Sequence, residues 1–126
     1  MHILICGGND FNDWNTFKLS LDRLSSFQER SDIWVVSRHT DGADRMGERY
    51  AAMRKWQCRI LPQTEATVIR DAELIDYIDA MVIFWDGKSS NERRLIELAK
   101  LARRFIVVFD YYGNVKENFV PSHYYG

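Results

Sequence analysis

Ile3-Leu4-Ile5-Cys6-Gly7-Gly8-Asn9-Asp10-Phe11 carries a strand, a turn and the approach to a helix in a single short run. Three aliphatic residues and a cysteine make a short buried strand. Two glycines then let the backbone turn tightly with no side chain above it. Asp13 stands where it can cap a helix bearing Phe17, Leu21 and Leu24 on one face. A strand, a Gly-rich turn and a helix N-terminus form a general anion-binding device, because free N–H groups and the helix dipole point at the same place.

The same alternation continues along the chain. The first helix is expected over residues 14–27. Ile33-Trp34-Val35-Val36 reads as a second strand and residues 37–42 as a loop. Residues 43–56 read as a helix with Ala43, Met46, Tyr50 and Met53 spaced for burial. Cys58 to Leu61 reads as a third strand, stopped by Pro62. A helix over 65–77 would bury Val68, Ala72 and either Leu74 or Ile75. Ala80-Met81-Val82-Ile83-Phe84 is the clearest central strand. A loop over 86–91, a helix over 92–102 and a strand over 105–109 complete the pattern.

Five apolar strands thus alternate with four helices. Unbroken apolar runs point to a parallel sheet covered on both faces, and right-handed crossovers leave few topologies. The expected fold is α/β: a small, doubly wound, Rossmann-like, five-stranded parallel sheet of order 3-2-1-4-5, formed by residues 1–110. Residues 111–126 read as an irregular aromatic tail covering the edge strand, packed on the domain or on a second subunit. Leu95, Leu98, Leu101 and Ala102 add apolar area for such a homodimer.

With 126 residues the chain suits one domain, and its formal net charge of −1 gives no global field toward nucleic acid or an anionic membrane. Arg38, Arg45, Arg49, Arg54, Lys55 and Arg59 form a local basic run, interrupted by Asp41, Asp44 and Glu48. Trp14, Trp34, Trp56 and Trp85 are expected to pack rather than stack on bases. Nucleic acid is therefore not the expected partner. No apolar run approaches the roughly 20 residues that span a bilayer, and no signal-peptide pattern is visible. A cytoplasmic, reducing setting follows, with Cys6 and Cys58 packed as small hydrophobes rather than joined.

In the expected topology the strand order reverses between the first and fourth strands, and ligands bind outside the carboxyl ends there. That rule converges the loops after Cys6, Ser37 and Trp85. The candidate ligand-binding residues are Gly7, Gly8, Asn9 and Asp10; Arg38; Gly42, Ala43, Asp44 and Arg45; Arg70 and Asp71; and Asp86, Gly87 and Ser89. Gly42 and Ala43 allow close backbone approach, Asp44 can accept from a ribose or base, and Arg45 can clamp a phosphate. The alternative is a capped helix whose Asp44 and Arg45 pair with Glu48 or Arg49. Asp10 and Asp86 could lie across adjacent strands, to perform acid–base work, hold magnesium or simply cap helices.

Several chemistries lack their residues. The dinucleotide fingerprint needs a third glycine and a carboxylate ending the second strand, where Ser37 and Arg38 stand. Gly87-Lys88-Ser89 lacks the first glycine of a phosphate loop. His2, His39 and His123 have no ligand spacing with the cysteines, so neither a metal nor a cofactor is implied. No serine, histidine and aspartate set is placed for nucleophilic catalysis.

Taken together, Cys6 through Phe11, Gly42-Ala43-Asp44-Arg45, Arg70-Asp71-Ala72-Glu73-Leu74-Ile75 and Ala80 through Ser89 resemble the small SLOG-type Rossmann proteins of bacteria and their phages, the YspA-like or DUF2493 proteins. The resemblance spans roughly residues 2–109. It implies a nucleotide, ADP-ribose-like or similar phosphate-bearing ligand, and no single reaction. The chain departs from that pattern where the glycines after the second strand are replaced by Ser37-Arg38-His39-Thr40-Asp41, where Asn91-Glu92 replaces Gly-Thr, and in a short loop from Pro62 to Val68. Glu92 brings negative charge to the helix N-terminus where a phosphate would rest. The expected function is non-catalytic binding of such a ligand. The alternatives are an N-glycosidic hydrolase using Glu48, Asp44 or Asp71 with Arg45 on phosphate, and an interaction module without a ligand.

Overall fold

A computed structural model of the chain describes residues 1–61 and 67–121. In chain order its elements are β1 (His2–Gly7), α1 (Trp14–Asp22), α2 (Ser25–Gln28), β2 (Trp34–Ser37), α3 (Ala43–Arg54), β3 (Gln57–Ile60), α4 (Thr67–Tyr77), β4 (Ala80–Phe84), α5 (Ser90–Leu101), β5 (Phe105–Phe109) and β6 (Val115–Phe119). They build an α/β fold on one mixed sheet of six strands, ordered β3-β2-β1-β4-β5-β6. The first five pair in parallel and β6 is antiparallel to β5.

Successive residues of the central strands enter two separate cores, as the two-residue period of a strand requires. Ile3, Ile5, Val82, Phe84, Val107 and Phe109 pack with Phe17 and Leu21 of α1 and Tyr50 of α3. Leu4, Cys6, Met81, Ile83, Ile106 and Val108 pack with Leu74 and Ile75 of α4 and Leu95 and Ile96 of α5. Phe84 anchors the first core, stacked on Phe11, Phe17 and Phe109 at 4.8, 5.1 and 5.1 Å between ring centroids. Each such pair adds about 0.5–1.5 kcal/mol beyond its buried area.

The expected fifth and last strand is not an edge. Residues 115–119, expected to be irregular, form β6 and pair with β5 from Ile106 to Phe109. The turn between them is organised by Asp110, which accepts from the backbone N–H of Tyr112 and Asn114, both at 2.9 Å, while Gly113 takes φ +85°. The single helix expected over 14–27 is two. Ten residues at about 100° each leave Phe27 roughly 80° off the stripe of Phe17. The break before α2 re-aims it, so that Phe27 is buried and meets Phe105 edge-on. Tyr50 fastens this corner, donating to Asp22 at 2.6 Å and accepting from Gln28 at 2.8 Å.

Four expected core positions lie outside. Met53 and Ala72 are exposed, because Gly47 and Ala51 of α3, and Leu74 and Ile75 of α4 with Ile78 just after it, take the inward positions. Cys58 is exposed as well, since β3 is a sheet edge with all its residues open to solvent, whereas Cys6 is buried; both cysteines are free. Trp34 is also exposed rather than packed. Pro62, Glu65, Ala66, His123, Tyr124 and Tyr125, and the side chain of Val68, fall outside the described residues.

Gly42 is the backbone position that this arrangement leaves no freedom to change. It has φ +83°, and a Cβ there would come within 2.3 Å of the Gly8 carbonyl oxygen and 2.9 Å of Asn9 Cα. Gly42→Ala is expected to lower unfolding free energy by about 1–3 kcal/mol from the backbone alone, read as a lower urea midpoint. An unchanged midpoint would contradict the close packing of these two loops.

Candidate functional site

The register of β1 against β4 runs from Ile3–Ala80 to Gly7–Phe84, so the loops that follow both strands leave the sheet side by side. A crevice of about 410 Å³ opens there, within the ordinary range for small-molecule sites. Its floor is Gly7, Gly8, Asn9 and Asp10 after β1. One wall is Arg38 and Thr40 after β2, with Asp71 from α4. The other is Asp86, Ser89, Asn91 and Glu92 at the entry to α5, and Tyr111 from the β5–β6 turn closes the end.

Of the residues expected from sequence, Gly7, Gly8, Asn9, Asp10, Arg38, Asp71, Asp86 and Ser89 line this space, and Gly42, Ala43, Asp44, Arg45, Arg70 and Gly87 do not. Asp44 is completely buried and pairs with Arg38. The guanidinium donates from Nε to one carboxylate oxygen and from a terminal nitrogen to the other, both at 2.8 Å. The same terminal nitrogen lies 3.4 Å from the Gly7 carbonyl oxygen. Arg38 is held firmly charged by its Asp44 hydrogen bonds, against the opposing effect of burial. Arg45 points away into solvent and pairs with Asp41 at 3.4 Å. Arg70 donates to the Leu61 carbonyl at 2.8 Å.

The carboxylates differ in what they are bonded to. Asp86 accepts from the N–H groups of Lys88 and Ser89, each at 2.8 Å, and these bonds hold its carboxyl below the usual range. Asp10 accepts from the Tyr111 phenol at 2.6 Å, and burial together with that bond pushes the phenol's ionisation up. Glu92 is buried and accepts from the Ser89 hydroxyl. Asp71 is buried with its carboxyl raised by desolvation, the nearest ion-pair nitrogen being Arg94 at 3.8 Å. Glu48 is occupied outside the crevice, accepting from Ser37 Oγ at 2.7 Å and lying 2.8 Å from His39 Nδ1. Burial pushes the Cys6 thiol far up, so it stays protonated near neutrality. Among the described residues no group of three or more His, Cys, Asp and Glu side chains is arranged to hold a metal ion.

Thr40, Asn91, Glu92 and Tyr111 line the crevice without having been expected there as ligand contacts. Tyr111 had a signal: Asp110 with Gly113-Asn114 is a turn pattern that returns the chain to the sheet. The ring lies so close over Gly8 that a Cβ there would sit 1.8 Å from the phenol oxygen.

An α/β sheet with a polar crevice at the carboxyl ends of its adjacent central strands is the frame in which the family match is found. The model of YAcAr, the YspA, cpYpsA-related SLOG family, matches residues 1–63, half of the chain. The chain belongs to that family. No curated protein and no solved structure gives a significant match.

The raised carboxyl of Asp71 has a consequence for stability. The folded state holds this proton more tightly than the unfolded state, so ionising the group costs stability as pH rises from the unfolded value of about 4. The cost is complete above the folded pKa and absent below the unfolded one. Asp71→Asn is therefore expected to be more stable than the parent at pH 7, with the gain shrinking toward pH 3.5, measured as urea midpoints. A loss of stability at pH 7 would show that Asp71 is held by its neighbours rather than strained by burial.

Proposed function

We propose that this chain binds a nucleotide-derived small ligand in the crevice between the β1, β2 and β4 loops and does not turn it over. The observation that carries the reading is the convergence of the Gly7–Asp10 turn, Asp71 and the α5 entry on one polar space at the point where the sheet order reverses. The SLOG family match points to the same class of ligand, and the expected doubly wound, Rossmann-like character of the sheet agrees with it. In this reading the protein is a divergent bacterial or phage member of that family, working in the cytoplasm. Its partner is a small molecule rather than nucleic acid or membrane.

Binding is favoured over N-glycosidic hydrolysis by where the carboxylates are committed. Asp44 is spent on Arg38, and Glu48 on Ser37 and His39. Asp71 alone of the three carboxylates a hydrolase reading would use reaches the crevice. Calorimetry with nucleosides, mononucleotides and ADP-ribose tests the proposal. At least one is expected to bind, and Asp71→Asn to weaken it by about 1.5–3 kcal/mol, the usual scale for a hydrogen bond to a charged group. Release of free base from a nucleoside monophosphate, lost in Asp71→Asn, would establish the hydrolase instead.

A homodimer belongs to the same proposal. Leu101, Tyr112 and Val115 are exposed around the β6 edge, a surface suited to a second copy. Light scattering at tens of micromolar should give a dimer mass, and a monomer mass there would end that part of the proposal.

A further inference from the structure

A phosphate group bound at a Gly-rich turn or a helix start needs backbone N–H donors and positive charge. In this crevice several of the expected donors are already committed. The Gly8 N–H donates to the Phe84 carbonyl at 3.1 Å. The Lys88 and Ser89 N–H groups, just before α5, both donate to Asp86. The first turn of α5 carries the protein's own buried carboxylate, Glu92, bonded by the Ser89 hydroxyl. Arg38, the cation in the lining, is closed on both oxygens of Asp44.

Among the described lining residues, four carboxylates, Asp10, Asp71, Asp86 and Glu92, stand against that one committed cation. Asp71 adds an independent sign of what the space is built to receive. Its side chain is 6% exposed and it lines the crevice, yet among the described residues no hydrogen bond reaches it and Arg94 stands 3.8 Å off. Desolvation disfavours its charged form while Arg38, Arg94 and Arg70 favour it, and a ligand bringing hydroxyl or amino hydrogens would add the hydrogen-bond donors it lacks.

Resting on the nucleotide-derived reading above, we infer that the crevice seats the phosphate-free portion of its ligand, the hydroxyl and amino groups of a nucleoside donating to Asp71 and Glu92, and excludes a free phosphate. The selectivity lies in charge: a phosphate entering this space meets Asp10, Asp71, Asp86 and Glu92 in a partly enclosed setting, where repulsion is stronger than in open water. The site thus separates a nucleoside from its own monophosphate.

Calorimetry in magnesium-free buffer at low ionic strength, with adenosine, guanosine, cytidine and uridine beside their 5′-monophosphates and ADP-ribose, tests this. At least one nucleoside should bind about tenfold or more tightly than its monophosphate. Added salt should narrow that gap, since screening weakens repulsion. Glu92→Gln should narrow it too, and the salt titration on the unaltered protein decides between the two outcomes even if that variant does not fold. A monophosphate that binds as tightly as its nucleoside, with or without magnesium, overturns the inference and leaves the nucleotide-derived reading standing. No binding by any member of the panel removes that reading, and this inference with it.

Discussion

The guanidinium of Arg38, closed on both oxygens of the fully buried Asp44, holds the mouth of the crevice in shape. Such a pair tolerates burial because its geometry is bidentate and its hydrogen bonds are made, whereas removing one partner strands the other at a cost of about 3–5 kcal/mol. It joins the loop after β2 to the first turn of α3, and a terminal nitrogen of Arg38 reaches toward the Gly7 carbonyl at 3.4 Å. Once the loop is so tied, Gly42 lies beneath Gly8 with no room for a side chain.

The same pair shapes the chemistry. An arginine at the mouth of a crevice would ordinarily attract an anion, but here its charge is answered from within the protein. What else lines the space is the carboxylates, together with the amides of Asn9 and Asn91 and the hydroxyls of Thr40 and Ser89, which both accept and donate. Acceptors outnumber free cations, which suits recognition of a hydrogen-bond donor more than capture of a charge. The Cys6 thiol, in the strand leading to this crevice, is buried and held protonated, and Glu48 is engaged by Ser37 and His39.

Much of this was visible in the sequence because the controlling signals are local. Apolar runs at Ile3–Cys6 and Ala80–Phe84 placed the two central strands, and the glycines after the first placed its turn. The order of the first five strands followed from connection rules. Other features depended on contacts between distant segments. Arg45 reads as a clamp in isolation, yet a helix turns it outward while Arg38, one loop earlier, turns in. Tyr111 enters the crevice only because β6 doubles back along β5. Met53 follows a helical apolar spacing without facing the sheet, since small Gly47 and Ala51 let α3 approach on a neighbouring stripe, and Ala72 does so because Leu74 and Ile75 take the inward face of α4. Periodicity identifies an amphipathic helix more reliably than it identifies the face that is buried.

The most direct test of a ligand site at this crevice is residue-resolved: backbone amide chemical shifts of the full chain, followed while a pool of the four common ribonucleosides is titrated to millimolar concentration. The account predicts that the amides of Gly8, Asn9, Asp71, Ser89 and Glu92 shift together and saturate, while those of the exposed β3 edge, Gln57 to Ile60, stay fixed. Unmoved crevice amides at the end of the titration, or saturable shifts confined to β3 or to β6, would contradict it.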